Sequence, residues 1–460
     1  MERFISLLGI ALFFGLAYLL SVDRTAIRWR TVMWGFALQL CLGVFVLKVP
    51  IGFTVLSAIG EKVTQFLNFS DVGAKFVYGN NFKDVFFAFK VMSTTIFFSG
   101  FISLLYYIGV LQRIIGGIAW IMRRTLKTSG PETTSCAANI FIGQTEAPLL
   151  VRPFLNQVTL SELHAIMVGG FATVAGGVLA AYISFGISAQ QLIAASVMNA
   201  PGALAMAKIF FPETGQFSYD LESEKRHQAS QKSIPLEQSI QDVEDLEAEA
   251  SHPDLAELER TAEDTQEFPA QPAREQEPEL KLPQLASDPI GALAEGAIQG
   301  MQLALNIVAI LIVFMALIAA LNGLLAGLGS WLGFPADRPL SLELILAYVM
   351  APLAFVMGVP WAECGQVGVF LGKKVIINEF IAYVDLADAI KNQMLSDRTK
   401  LIATFALCGF ANFSSIGQQI GCLGSMVPAR RNDIARLGLR AMVAGSFVNF
   451  VSAAIAGLLT

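Results

Sequence analysis

Long apolar runs alternate along this chain with short clusters of arginine and lysine. Runs near residues 4–22, 31–49, 85–108, 164–183, 189–211, 306–328 and 401–426, and a last one ending at Thr460, approach or exceed the roughly 20 residues that cross a hydrocarbon core. They are continuous and do not alternate residue by residue, which excludes a β-barrel. The pattern predicts an all-α polytopic membrane protein with about eight transmembrane helices. The first run lacks a basic leader and a small-residue cleavage site, so it reads as a retained helix. Three weaker stretches, 54–84, 292–305 and 373–400, mix charge with apolar residues and read as interfacial helices.

Two stretches are apolar yet interrupted. Residues 114–153 contain Ser129-Gly-Pro-Glu-Thr-Thr-Ser135, a cap-and-loop composition, and then Asn139-Ile-Phe-Ile-Gly-Gln-Thr-Glu-Ala-Pro-Leu-Leu-Val-Arg-Pro153. Residues 340–375 contain Met357-Gly-Val-Pro-Trp-Ala-Glu-Cys-Gly365. Gly and Pro free backbone groups, and an acid stands beside each break. At membrane depth such a segment survives only where it is buried in protein or lines a wet cavity. Both stretches are predicted to be re-entrant helical hairpins, with Glu146 and Glu363 as buried acids. After each comes a related segment, Gly170-Phe-Ala-Thr-Val-Ala-Gly176 and Gly409-Phe-Ala-Asn-Phe-Ser-Ser415. Counting spans, the two units enter from opposite faces, which predicts an inverted repeat with its sites near the midplane.

Charge adds sidedness. Arg24, Arg28 and Arg30, then Arg113, Arg123, Arg124 and Lys127, then Arg430, Arg431 and Arg436, fall in loops that the span count puts on one side. By the positive-inside rule that side is cytoplasmic, so both termini lie outside. The net charge of −6 conceals two parts. Between Glu213 and Asp288 stand 20 acidic and 6 basic residues, which leaves the remainder at about +8. Residues 214–289 are poor in aromatics and rich in Glu, Gln, Pro and Ser, and are predicted to be a disordered cytoplasmic linker. The whole divides into 1–110 (scaffold spans and an interfacial helix), 111–213 (first repeat), the linker, 290–335 (scaffold) and 336–460 (second repeat).

The chemistry is that of a binding site. Neither a Walker A motif, a catalytic triad, an HExxH nor a CxxC occurs, so no enzyme and no ATP-driven engine is indicated. The five cysteines all fall in or beside apolar segments and read as small buried thiols. Gln144, Thr145, Asn412 and Ser415 both donate and accept hydrogen bonds. Ionised Glu146 and Glu363 only accept, favouring a solute rich in hydroxyl or N–H groups. Phe410 offers a face for a planar ring. Asn139 and Thr173 are hard oxygen donors suited to sodium. For any one of these residues the alternative is ordinary hydrogen bonding between helices, and the glycine pairs at 169–170 and 176–177 alternatively serve close packing.

At these residues the sequence resembles the concentrative nucleoside transporters. Gly143-Gln-Thr-Glu-Ala-Pro-Leu149, Ser196-Val-Met-Asn-Ala-Pro201 with Pro212-Glu-Thr214, Asn378-Glu-Phe380 and Cys408-Gly-Phe-Ala-Asn412 carry the resemblance. It covers nearly the whole chain outside the linker. It implies a homotrimer in which each protomer moves its own substrate site, elevator-like, against a trimeric scaffold. It implies that Gln144, Thr145 and Glu146 face a nucleobase, that Val178 and Phe410 flank it, and that Glu363, Asn412 and Ser415 hold ribose hydroxyls. It implies a sodium site at Asn139, Ile142, Thr173 and Val174, with Ile142 and Val174 acting through their carbonyls. Some members use protons. The long insert and Ser93, where proline is expected, are departures from the pattern.

The expected function is a cation-coupled nucleoside importer of a bacterial cytoplasmic membrane, with sodium favoured as the coupling ion, no bound cofactor and no nucleic-acid partner. The alternatives are a proton-coupled carrier of nucleosides or of another polar solute such as a nucleobase, and a membrane receptor that signals through its linker. A receptor needs only a binding site, whereas the inverted repeat supplies access from both faces. Deleting residues 218–283 is expected to leave insertion and uptake intact, because both ends of the cut lie on one face. Uptake by the shortened chain in proteoliposomes checks this, and its loss in a chain that still inserts would refute it.

Overall fold

The computed structural model describes residues 2–82, 87–215, 288–335 and 339–460. The acidic stretch from 216 to 287 lies outside the described residues, and so does the linker reading made for it. Among the described residues every regular element is a helix. In chain order these are α1 (Glu2–Leu19), α2 (Trp29–Leu47), α3 (Pro50–Leu67), α4 (Ser70–Tyr78), a π-helical turn (Phe87–Val91), α5 (Met92–Tyr107), α6 (Val110–Leu126), α7 (Gly130–Ala138), a 3₁₀ segment (Ala147–Phe154), α8 (Leu160–Ala172), α9 (Gly176–Ser184) and α10 (Ala189–Phe210). After the linker come α11 (Pro289–Trp331), α12 (Leu342–Val356), α13 (Trp361–Ile376), α14 (Glu379–Lys391), α15 (Asp397–Leu407), α16 (Phe413–Met426) and α17 (Arg431–Leu459).

Among the described residues seven helical stretches are long and apolar enough to span a membrane, or eight if the bent pair α12–α13 counts as one span. Their burial separates two roles. The α1 helix buries Ser6, Gly9, Ile10, Phe13 and Ala17, a stripe at three- and four-residue spacing, and leaves Leu7, Leu8 and Leu12 exposed as a lipid-facing helix does. In contrast α8, α10 and most of α17 are buried nearly all round. They are rich in Ala, Gly and Ser, which lets backbones approach. These three helices are the centre of the bundle, with α1 and α2 packed on α10 and α17.

The α5 and α11 helices form a separate antiparallel pair. A Cβ at Gly300 would lie 2.8 Å from Ile96 Cα, and one at Gly100 would lie 3.1 Å from the Leu293 carbonyl. Gly296 and Gly300 sit four apart on the contact, the small-residue spacing of close membrane helix pairs. This pair meets the remainder chiefly at α9, where a Cβ on Gly177 would lie 2.9 Å from Ser99 Oγ. Within the first 110 residues α1 and α2 pack on the central bundle while α5 pairs with α11.

Contacts between helix ends fix which loops share a face. Arg3 donates to the Thr460 carbonyl at 2.7 Å, and Ser57 bonds Gln190 at 2.9 Å. On the opposite side the Val22 N–H reaches the Phe210 carbonyl at 3.1 Å, and Thr31 Oγ1 reaches the Leu126 carbonyl at 3.0 Å. The arginine-rich loops therefore gather on one face, and both chain ends lie on the other.

Several expected boundaries move. Residues 54–84 fall mainly on two helices, α3 and α4. The 292–305 stretch does not stand alone but is the start of the 43-residue α11. Only 130–154 forms the first hairpin, preceded by the separate amphipathic α6. The seventh span is interrupted, ending as α15 and restarting as α16. The α12–α13 pair bends by 115° as expected for 340–375, with Gly358 at φ 97° in the turn. Much of 373–389, however, is buried within the protein, α14 enclosing Glu379, Phe380, Ile381, Ala382, Tyr383 and Leu386, whereas most of 391–397 is exposed. In the buried part Lys373 lies 2.9 Å from Asp385 and 3.5 Å from Glu343.

Arg430 ties the two halves together. It is fully buried, donates to the Leu155 and Val158 carbonyls just past the first hairpin, and pairs with Asp433 at 3.3 Å. Arg430→Met strands Asp433 as a buried, unpaired charge and is expected to cost about 3–5 kcal/mol. Adding Asp433→Leu should recover much of that loss. Thermal unfolding of the two variants in detergent checks this, and equal losses would refute it.

Candidate functional site

Four interruptions of helical backbone converge in the bundle. The first hairpin turns at 139–146, between α7 and the 3₁₀ segment. The α8–α9 span opens at 173–175, where Thr173 is extended (φ −121°, ψ 171°). A reversal at Ile377–Asn378 separates α13 from α14, and the α15–α16 span opens at 408–412. Local chemistry explains each restart. Asn378 and Asn412 have extended backbone and cap the next helix with their side-chain oxygens, Asn378 on Ile381 N at 3.0 Å and Asn412 on Ser415 N at 2.8 Å. The small Gly176 and Gly177 let α9 begin against Phe98 and Ser99.

The pairing crosses between repeats. Gln144, in the first hairpin tip, donates to Gln418 at 2.8 Å and accepts from Gln419 at 3.1 Å, both on α16. Gln419 also donates to the Met167 carbonyl at 3.1 Å. Cys422 reaches the Thr145 carbonyl at 3.2 Å. On the other side Glu379 accepts from Tyr182 of α9 at 3.1 Å and from Asn412 at 2.8 Å. The two openings touch directly, Phe410 N–H donating to the Thr173 carbonyl at 3.2 Å. Gln144 thus binds the broken helix of the other repeat, and Glu379 bridges the broken helices of both.

This leaves a defined set of free valences. The Asn412 oxygen is occupied by Ser415 N and the Ser414 hydroxyl, so one amide N–H remains. Glu379 is 4% exposed and has lone pairs beyond the two its partners use. Ser415 and Val178 are buried next to the openings, and Phe410 is half-buried. Glu146 is exposed, not buried as expected, and its carboxylate folds back over Gly143, where a side chain would collide with it.

Asn139 is fully buried at the end of α7. Its amide N–H bonds the Ser135 carbonyl at 3.0 Å, and its Oδ1 has no hydrogen-bond partner. Among the described residues the carbonyls of Ile142 and Val174 accept no hydrogen bond either. Thr173 Oγ1 donates to the Gly169 carbonyl at 2.9 Å and keeps lone pairs. The Gly176 N–H to the Phe141 carbonyl, 3.2 Å, joins this tip to this opening. The donors are neutral oxygens, and among the described residues no cluster of three His, Cys, Asp or Glu side chains could hold a metal. Such a set fits a hard monovalent cation.

One expected residue lies elsewhere. Glu363 is in the first turn of α13, just after the 357–360 bend, and accepts from the Ser396 hydroxyl at 3.0 Å and the Ser396 N–H at 3.3 Å. It caps the approach to α15 and touches neither Asn412 nor Ser415. The acid beside Asn412 is Glu379. Its signal was present in Asn378-Glu-Phe380, an N-cap followed by an acid and an apolar helix, but the neighbouring Lys373, Lys374 and Asp385 made the segment look interfacial. Tyr182, Gln418 and Gln419 carried no local signal, being single polar residues on otherwise ordinary helices.

The sequence model described as Na+ dependent nucleoside transporter C-terminus matches residues 191–457, its N-terminus counterpart matches 8–81, and a nucleoside recognition Gate model matches 88–189. Sodium/nucleoside cotransporter 1 of Mus musculus is 40% identical, spanning 100% of this chain and 64% of that protein. Solute carrier family 28 member 3 of Homo sapiens is 38% identical over 100% of this chain and 60% of its own length. The chain thus spans less than two thirds of these relatives. Solved structures of CNTnw, in an inward-facing substrate-bound state and as a variant in an outward-facing state, each superpose with a TM-score of 0.82 at 39% identity, covering 100% of this chain and 98% of theirs. The C-terminal match alone takes in more than half of the residues, and the chain belongs to the Na+-dependent nucleoside transporter family.

Proposed function

We propose that this chain is a sodium-coupled nucleoside symporter. The observation that carries the reading is the buried, unpartnered Asn139 oxygen, five residues before Gln144, in a hairpin tip whose Phe141 carbonyl accepts from Gly176 N–H beside the 173–175 opening. An oxygen left without a partner at that depth is costly unless a cation joins it. Sodium, carried as a co-substrate, is bound by Asn139, Thr173 and the carbonyls of Ile142 and Val174. The nucleobase lies against Gln144, Thr145 and Glu146, flanked by Val178 and Phe410. The ribose hydroxyls donate to Glu379 and meet the free N–H of Asn412 and the Ser415 hydroxyl, so Glu379 takes the part first expected of Glu363.

Because both hairpin tips and both broken helices contribute, the site moves as one body. The α5–α11 pair, which meets that body mainly at α9, is the static element of an elevator, and its lipid-exposed faces meet the neighbouring protomers of a homotrimer. The assembly sits in a bacterial cytoplasmic membrane with its arginine-rich face inward, both termini outward and the acidic linker in the cytoplasm. Lysine and arginine on that face agree with this orientation.

Uridine uptake into proteoliposomes under a sodium gradient, a proton gradient or neither tests the reading. A sodium gradient alone should drive accumulation. Asn139→Leu or Thr173→Leu should raise the sodium requirement tenfold or more, about 1.4 kcal/mol for the loss of one oxygen ligand. Accumulation driven by protons with sodium irrelevant would overturn the coupling.

Glu379→Gln replaces one acceptor oxygen by a donor. A charge-assisted hydrogen bond contributes about 1.5–3 kcal/mol, so uridine affinity should fall about ten- to a hundredfold. The loss should shrink for a 2′,3′-dideoxynucleoside, while Glu146→Gln should weaken both ligands alike. Equal losses for both ligands in the Glu379 variant would show that this acid does not read the sugar.

A further inference from the structure

We propose that Asn199 and Asn449 are positioning residues that couple sodium binding to nucleoside binding by bracing the two helix openings against each other. The inference rests on the functional reading above and concerns residues that touch neither ligand. Asn199 lies on α10 and Asn449 on α17, the last helix of each repeat. Asn199 Nδ2 donates to the Ala172 carbonyl at 2.8 Å and to the Cys408 carbonyl at 2.9 Å. Asn449 Nδ2 donates to the same two carbonyls, at 2.7 Å each. Ala172 closes α8 and Cys408 follows the last residue of α15, so these are carbonyls that the openings leave without helical partners. Four amide hydrogens meet four lone pairs, and all four groups are buried.

The orientation of each amide is dictated. Lys374 is fully buried and donates to the Asn449 oxygen at 2.6 Å and to the Ala406 carbonyl at 2.8 Å. An ammonium has no lone pair to offer, so the Asn449 nitrogen must face the openings. The Ser452 hydroxyl accepts from Gln39 Nε2 at 2.7 Å and donates to the Asn199 oxygen, which sets the second amide the same way. There is no slack. A side chain at Gly409 would collide with the Asn449 amide, and a Cβ at Gly445 would lie 2.6 Å from Phe171.

Residues just past Ala172 bind the ion, through Thr173 and Val174. Residues just past Cys408 bind the solute, through Phe410 and Asn412. When sodium draws the first opening together, the shared amides pass the displacement to the second. A chain of fixed hydrogen bonds between two sites is a physical basis for coupling, and coupling is a free energy that acts equally in both directions.

Calorimetric titration of uridine into the purified full-length protein in detergent, with saturating sodium and with choline in its place, gives two dissociation constants whose ratio measures the coupling. The wild type should show a ratio of about 5–150. Asn199→Ala and Asn449→Ala should each bring it to within about twofold of one, whatever happens to absolute affinity. A merely structural defect lowers the fraction of binding-competent protein and leaves the ratio unchanged. Lys374→Met and Ser452→Ala, which keep both asparagines and release one amide each, should give intermediate ratios. They carry the test if the alanine variants do not fold. A wild-type ratio in any variant that removes an asparagine, or in both of the milder ones, overturns the brace. A ratio of one in the wild type overturns the functional reading on which it rests.

Discussion

A backbone that leaves the helix inside a membrane must find a partner for every N–H and C=O it releases, because no water is there to take them. The architecture around the openings at 173–175 and 408–412 follows from this requirement. Part of the demand is met by side chains from neighbouring helices, as where Asn199 and Asn449 cap Ala172 and Cys408. Part is met between the openings, through Phe410 N–H and the Thr173 carbonyl. What is left over, the oxygens of Asn139, Ile142 and Val174 and the free valences of Glu379 and Asn412, is what a solute and an ion can use. The proposed binding site is thus built from groups that the openings leave unsatisfied.

Much of this was legible in the residues. The spans, the shared face of the arginine-rich loops and the first hairpin tip were visible because hydrophobic length, arginine clusters and the Gly143–Pro148 polar row are local signals. The α12–α13 bend was visible as well, but the further reversal at 377–378 was not. Gly358 and Pro360 are conspicuous and do bend the chain, but the buried reversal is made by Asn378, whose capping role depends on a single side-chain bond to Ile381 N. The acid followed the wrong break for the same reason. Glu363 and Glu379 look alike in sequence. Only tertiary packing distinguishes one that bonds Ser396 near the surface from one enclosed by Tyr182 and Asn412.

Charge density was the second source of error. Between Lys373 and Lys391 stand three lysines, one glutamate and two aspartates, a composition that belongs at an interface if each charge must be hydrated. Within the fold, Lys373 finds Asp385 and Glu343, Lys374 finds Asn449 and the Ala406 carbonyl, and Glu379 finds Tyr182 and Asn412. Burying charges in this way is costly, and replacement of such sets by apolar residues is often neutral or stabilising elsewhere. Their presence here points to specificity. Lys374 is the case in view, because a donor without lone pairs fixes which end of Asn449 faces the openings.

The crossed pairing also constrains how access can alternate. If each hairpin bound only the broken helix of its own repeat, either gate could swing while its half of the site stayed intact. Here the first tip holds α16 through Gln144, and the second holds α9 through Glu379. Opening either tip alone breaks hydrogen bonds that belong to the other half. Movement of the whole assembly against the α5–α11 pair breaks none of these bonds. The pair's contact with α9 is small-residue packing at Ser99 and Gly177, while Asn322 of α11 also bonds Leu342 N–H and Glu343 at the start of α12. The proposed elevator motion is therefore the movement that preserves these crossed hydrogen bonds.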